Sequence, residues 1–203
     1  MAIDVLVFDL GKVIFDFDLE KLAGGFHLSS KKSKKEIFTL LSDHIELFAD
    51  YEKGLVDSES FYKQVSELMN MKTDYQTFCS IWNDIFTPVK GMDSLIKRLS
   101  ASNKLAILSN TNDLHFKYLE NKYPEIFSYF TNLHLSYKMG LRKPDKEIYE
   151  HVIEFYGIDP ARIFFTDDLE RNIVPARELG INSYRFDGPE ILEKKLNFLG
   201  VKF

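Results

Sequence analysis

Residues 5–18 read VLVFDLGKVIFDFD. Four apolar residues in succession, Val5 to Phe8, predict a strand buried on both faces, as strands of parallel sheets are. The run ends on a carboxylate, Asp9, and two positions later stands a glycine, Gly11. Asp16 and Asp18 follow almost at once. In parallel sheets ligands bind beyond the carboxyl ends of the strands. A charge that closes a buried strand therefore stands where a ligand would be met, and the question becomes what other polar groups join it.

Four later segments resemble the first strand: LAILS (105–109), NLHLS (132–136), RIFFT (162–166) and NSYRF (182–186). Helix-like stretches separate them, among them MDSLIKRLS, DKEIYEHVIEFYG and LERNIVPARELG. Strands alternating with single helices predict an α/β fold, a Rossmann-like parallel sheet with helices on both faces. Residues 19–87 stand outside the alternation. IFTLLSDHIELF, ESFYKQVSELM and YQTFCSIWNDIF carry apolar residues at spacings of three and four, which reads as amphipathic helices. The expected organisation is an α/β core of residues 1–18 and 88–203 with an inserted helical cap domain of residues 19–87. TPVKG at 87–91 reads as the return linker, and Gly24-Gly25 and Gly54 as turns within the cap.

Bulk properties exclude several classes. The balance of 45% hydrophobic and 28% charged residues is that of a globular chain without a bias to disorder. A net charge of −5 gives no basis for a nucleic-acid partner, whose phosphates require a basic face. The one basic run, KKSKK at 31–35, reads as a solvated helix start or loop. Cys79 is the only cysteine, so neither an internal disulfide nor a cysteine-based metal site is expected. Asp4 and Asp9 interrupt the only long apolar candidate, so no signal peptide or membrane span is expected, and the cytoplasm is the expected location. The five histidines show no ligand spacing and read as structural. Tyr51, Glu52, Trp82 and Phe86 are open to two readings, lobe core or substrate contact.

The strand exits hold the chemistry. LAILS ends in Ser109 and is followed by Asn110; RIFFT is followed by Asp167 and Asp168; the GLRKPD loop adds Lys143. Neighbouring strands lie about 4.8 Å apart, so a central first strand would bring all these groups to one small ligand. Asp9, Asp167 and Asp168 would repel one another unless protonated or bridged by a cation. A hard divalent ion such as Mg²⁺, held through carboxylates and a substrate phosphate, resolves the repulsion. Lys143 supplies a charge for the phosphate, and Ser109 with nearby backbone N–H groups supplies donors.

VLVFDLGKV, LAILSN, GLRKPD and IFFTDDLERN, in that order, resemble the four motifs of the haloacid dehalogenase-like (HAD) superfamily of hydrolases. The likeness spans the whole α/β part, and the helical lobe sits where that superfamily places its first cap domain. The finer pattern, with LSNTN, RKP before an acidic residue, and two adjacent aspartates four residues before an asparagine, is similar to the bacterial α-D-glucose-1-phosphate phosphatases. The resemblance implies a Mg²⁺-dependent phosphatase acting on a small-molecule phosphate ester, with sugar phosphates such as glucose 1-phosphate first. Asp9 would be the nucleophile and form an aspartyl-phosphate. Mg²⁺ would be held by Asp9, Asp168 and the Gly11 carbonyl, with Asp167 and Asn172 orienting metal-bound water. Ser109, Asn110 and Lys143 would hold the phosphate.

Gly11 departs from the pattern. Most phosphatases of the superfamily carry there an aspartate that serves as general acid and base, help worth roughly 10²–10⁴-fold. Three compensations are open: a leaving group that needs little protonation, a proton from water, or a substitute acid, for which Asp16 is the candidate. Two other readings compete. A 2-haloacid dehalogenase would need no metal and would lack the acidic pair at 167–168. A catalytically weak phosphate- or protein-binding module would explain the missing acid but not the other groups.

Overall fold

The computed structural model describes residues 2–203. The chain opens with β1 (Val5–Phe8) and a short β2 (Phe15–Phe17). Five helices follow: α1 (Leu19–Ser30), α2 (Lys34–Asp43), α3 (Ile45–Glu52), α4 (Ser58–Met69) and α5 (Tyr75–Asn83). A short β3 (Phe86–Pro88) returns beside β2, antiparallel, with Phe17 opposite Phe86. The alternation then runs α6 (Met92–Ser100), β4 (Lys104–Ser109), α7 (Asp113–Lys122), α8 (Pro124–Ser128), β5 (Asn132–Leu135), α9 (Ser136–Met139) and α10 (Lys146–Tyr156). It closes with β6 (Ile163–Asp167), α11 (Glu170–Glu178), β7 (Asn182–Arg185) and α12 (Pro189–Phe198).

The main sheet has five strands in the order β5-β4-β1-β6-β7, and every pair is parallel. The apolar runs are unbroken because both faces are covered. Leu6, Phe8, Leu105, Ile107 and Phe164 face one helical layer, where Met92, Leu95 and Leu99 of α6 and Leu192 and Leu196 of α12 meet them. Val5, Val7, Ala106, Leu108, Ile163 and Phe165 face the other, against Ile148 and Val152 of α10 and Ile173 of α11. Burying each such side chain is worth about 1.5–3 kcal/mol. That burial fixes the register, because a one-residue slip would exchange the two faces.

Helices α1 to α5 surround an apolar cluster of their own, with Phe26, Phe61, Phe78 and Trp82 at its centre. Three local expectations need correction. Gly24 and Gly25 do not form a turn; both lie inside α1. A Cβ on Gly25 would fall 2.5 Å from Ile81 Cγ2, so glycine serves there to let α1 approach α5. The stretch IFTLLSDHIELF is two helices, broken at His44. The stretch TPVKG, expected as a linker, begins within β3. KKSKK is a helix start: Ser33 caps α2 in a reciprocal pair with Glu36, which leaves the lysines in solvent.

Candidate active site

Register brings the polar groups together. Phe8 pairs with Ile107 on one side and with Thr166 on the other, so the residues just beyond leave the sheet side by side. The Asp9 N–H donates to the Thr166 carbonyl at 2.9 Å, which seats Asp9 next to Asp167. Asp9, Asp167 and Asp168 each offer a carboxylate oxygen, all within 4.8 Å of one another.

One lysine holds this cluster. Lys143 is 1% exposed, and its Nζ donates to Asp9 Oδ1 at 2.8 Å, Asp167 Oδ2 at 2.7 Å and the Leu108 carbonyl at 2.8 Å. An ammonium has three N–H donors, so none is left for a ligand. Lys143 here orients Asp9 and contributes charge at the strand exits. Asn110 is likewise committed. Its Nδ2 donates to the Lys143 carbonyl and its Oδ1 accepts from the Lys143 N–H, both at 2.8 Å, which pins the loop carrying the lysine. Ser109 lines the cavity above these groups and is 1% exposed.

Burial pushes the Asp9 carboxyl up to about 7, against the pull of Lys143 and with the push of Asp167. Burial and Asp167 raise Asp168 as well. Burial opposes charge on Lys143, but Asp9 and Asp167 outweigh it and hold its pKa above the ordinary value. The cluster thus carries more negative charge than the lysine neutralises. Asn172 Nδ2 donates to both oxygens of Asp167, at 2.9 Å each, while its buried Oδ1 has no hydrogen-bond partner. Three converging carboxylates beside an orphaned acceptor fit a hydrated divalent cation.

Around Gly11 the structure answers part of the question raised by the sequence. A Cβ on Gly11 would lie 3.2 Å from Phe17 Cε1, so the Phe17 ring takes the space that a side chain at position 11 would need. Asp16 does not join the site. Its carboxylate pairs with Lys12 and accepts from the Phe17 N–H, contacts that hold its pKa below the ordinary value, and it does not line the cavity. A carboxyl so stabilised in its ionised form, outside the cavity, is not placed to act as the acid.

The cavity has a volume of about 410 Å³ and lies between the strand exits and the helical lobe. Tyr51, Glu52, Trp82 and Phe86 all line it. Several lining residues carried no sequence signal, including Phe17, Phe48, Leu169 and His115. His115 stacks on Trp82 with ring centroids 4.8 Å apart and pairs through Nε2 with the Trp82 carbonyl at 3.0 Å. Burial lowers its pKa to about 3, so the ring is neutral. Arg142 Nε donates to Glu52 Oε2 at 2.7 Å, which ties α3 to the loop of Lys143. Ser136 Oγ donates to the Glu52 carbonyl at 2.5 Å, and Gly54, at φ 71°, lies against the Tyr137 backbone.

A family model of haloacid dehalogenase-like hydrolases matches residues 3–180. The chain belongs to this family. Among curated proteins, this HAD-like chain is 28% identical over 191 residues to D-ribitol-5-phosphate phosphatase of Bacteroides thetaiotaomicron, covering 89% of the chain and 90% of that protein. It is 27% identical to flavin mononucleotide hydrolase 1 of Arabidopsis thaliana over 78% of the chain and 64% of the relative. A solved HAD family enzyme from B. thetaiotaomicron superposes with a TM-score of 0.86 at 30% identity, covering 97% of the chain and 99% of that enzyme. The same enzyme in complex with magnesium and inorganic phosphate superposes at 0.78 with 31% identity, over 92% and 96% of the two chains. The chain's place in the family is with the phosphatases.

Proposed function

We propose that this HAD-like chain is a Mg²⁺-dependent phosphatase that hydrolyses the phosphate monoester of a small metabolite through an aspartyl-phosphate on Asp9. The observation that supports the reading is the convergence of Asp9, Asp167 and Asp168 on one point, with Lys143 beneath them and Asn172 Oδ1 left unpartnered. Residues 1–18 and 88–203 form the catalytic core, and residues 19–87 cap it.

Asp9 Oδ1 accepts from the Leu10 N–H at 2.7 Å and from Lys143, which fixes the carboxylate at the strand end. From there Asp9 attacks phosphorus in line, the bond from phosphorus to the ester oxygen breaks, and water then cleaves the aspartyl-phosphate. Lys143 favours the ionised form of Asp9 against the burial that opposes it, and Ser109 donates to a phosphate oxygen. Asp9, Asp168 and the Gly11 carbonyl would hold Mg²⁺, with Asp167 and Asn172 orienting its water. Bound there, the ion would neutralise the carboxylates and the transferring phosphoryl group. Phe17 stands at the acid's place, so the departing alcohol takes its proton from water.

The relatives' names span a polyol phosphate and a flavin nucleotide, so likeness alone does not choose the ester. The test is phosphate release by purified protein with Mg²⁺ from a panel that includes glucose 1-phosphate, ribitol 5-phosphate and flavin mononucleotide. Release that stops with EDTA and in Asp9→Asn is the expected result. Release that survives either control rejects the mechanism, and no release from any ester favours a binding module.

A further inference from the structure

The side of the cavity formed by the helical lobe and the β2–β3 pair is chemically unlike the strand-exit side. Its wall is built from Leu22 of α1, Phe48 of α3, Trp82 of α5, Ile85, and Phe17 and Phe86, paired across the antiparallel strands β2 and β3. Three polar side chains that line the cavity, Tyr51, Glu52 and His115, are engaged with the protein. Tyr51 Oη pairs with Ser58 Oγ at 2.9 Å, and the Glu52 carboxylate is bound by Arg142. His115 has a partner at each nitrogen, the Trp82 carbonyl at 3.0 Å and Asn112 Nδ2 at 3.1 Å. A polyhydroxylated leaving group would have to give up water for each hydroxyl, and would find these three groups already paired. An apolar one would exchange water for aromatic and aliphatic contact, worth roughly fourfold in affinity for each methylene buried.

Resting on the phosphatase reading above, we propose that this site selects phosphate monoesters of hydrophobic alcohols, alkyl or aryl, over esters of sugars and polyols. Phe17 and Phe86 serve this selection directly. Glycine at position 11 leaves room for the Phe17 ring, so the departure from the family's acidic pattern extends the apolar wall toward the reacting phosphate. The site thereby loses a polar side chain where the leaving group begins and gains a contact for an alkyl carbon.

The test compares kcat/KM of the wild-type protein with Mg²⁺ for hexyl phosphate, 2-phenylethyl phosphate, ribitol 5-phosphate and glucose 1-phosphate. The expected result is a preference of at least about tenfold for the two hydrophobic esters. In Phe48→Ala the ratio of hexyl to ribitol ester should fall by about fivefold or more, and a ratio that does not move overturns the assignment of that wall. Should Phe48→Ala fail to fold, it is replaced by the comparison of butyl and hexyl phosphates on the wild-type protein, where a flat response to chain length overturns the proposal. Equal or faster turnover of the sugar and polyol esters also overturns it while leaving the phosphatase reading intact. No release from any ester removes the phosphatase reading itself.

Discussion

Placing an acid back at position 11 is the most informative perturbation of this site. In Gly11→Asp the new Cβ would meet Phe17 Cε1 at 3.2 Å and Cδ1 at 3.8 Å, before the carboxylate itself is accommodated. The ring cannot yield freely, since Phe17 pairs with Phe86 across β2 and β3 and lies under the Lys12 ammonium at 4.5 Å. Overpacking of this kind costs about 1–3 kcal/mol. For a chain of this size each kcal/mol moves Tm by about 2–4 °C, so the variant should melt about 2–12 °C lower. The gain from a working acid, roughly 10²–10⁴-fold, should not appear, because the carboxylate is forced off the line to the ester oxygen. Gly11→Asp combined with Phe17→Ala opens the space, and there turnover of ethyl phosphate should rise by about 10² or more relative to p-nitrophenyl phosphate. Thermal denaturation and the ratio of kcat/KM for the two esters read both effects. A single Gly11→Asp variant that keeps its Tm and gains the full acceleration would refute the steric account of glycine.

Two further outcomes follow from the geometry. The unfolded chain releases the Asp9 proton near 3.8 and the folded chain at about 7, so between these values the folded state holds more protons and loses stability as pH rises. A divalent cation favours the ionised carboxylates, so the Tm gain from Mg²⁺ should be larger at about pH 8 than at about pH 5.5; a gain independent of pH, or unchanged in Asp9→Asn, contradicts this. Gly54→Ala would put a Cβ 2.2 Å from the Tyr137 carbonyl oxygen at a residue with φ 71°, so it should cost more than about 1 kcal/mol in denaturant unfolding and raise KM as α3 lifts from the core, whereas a neutral effect would show that this contact does not hold the lobe down.

The three central strands β1, β4 and β6 were legible because burial on both faces leaves an apolar run, whereas the edge strands β5 and β7 are partly polar and were read from their alternation with helices. The strand-exit residues were legible for a related reason: Asp9, Ser109 and Asp167 each end such a run. What lay hidden was decided by contacts between segments far apart in sequence. The strands β2 and β3 have three residues each and exist because they pair with one another. Gly24-Gly25 has the composition of a turn, yet the close approach of Ile81 is what requires a small residue at position 25. Aromatics at helical spacing look alike whether they fill a core or line a cavity, and Trp82 does both. Asp16 drew notice by nearness to Asp9 along the chain, but the turn between them directs it to Lys12. Lys143 was found as a cation near phosphate, and only the coordinates reveal that its three donors are already engaged.

The account depends most on a covalent bond between Asp9 and the phosphoryl group. Rapid acid quench of the protein turning over a ³²P-labelled monoester in the presence of Mg²⁺ measures that bond directly. The expected result is labelled protein, approaching one phosphate per chain when hydrolysis is the slower step, released by hydroxylamine and absent in Asp9→Asn. Label that persists in Asp9→Asn, or turnover in that variant at the wild-type rate, would contradict it.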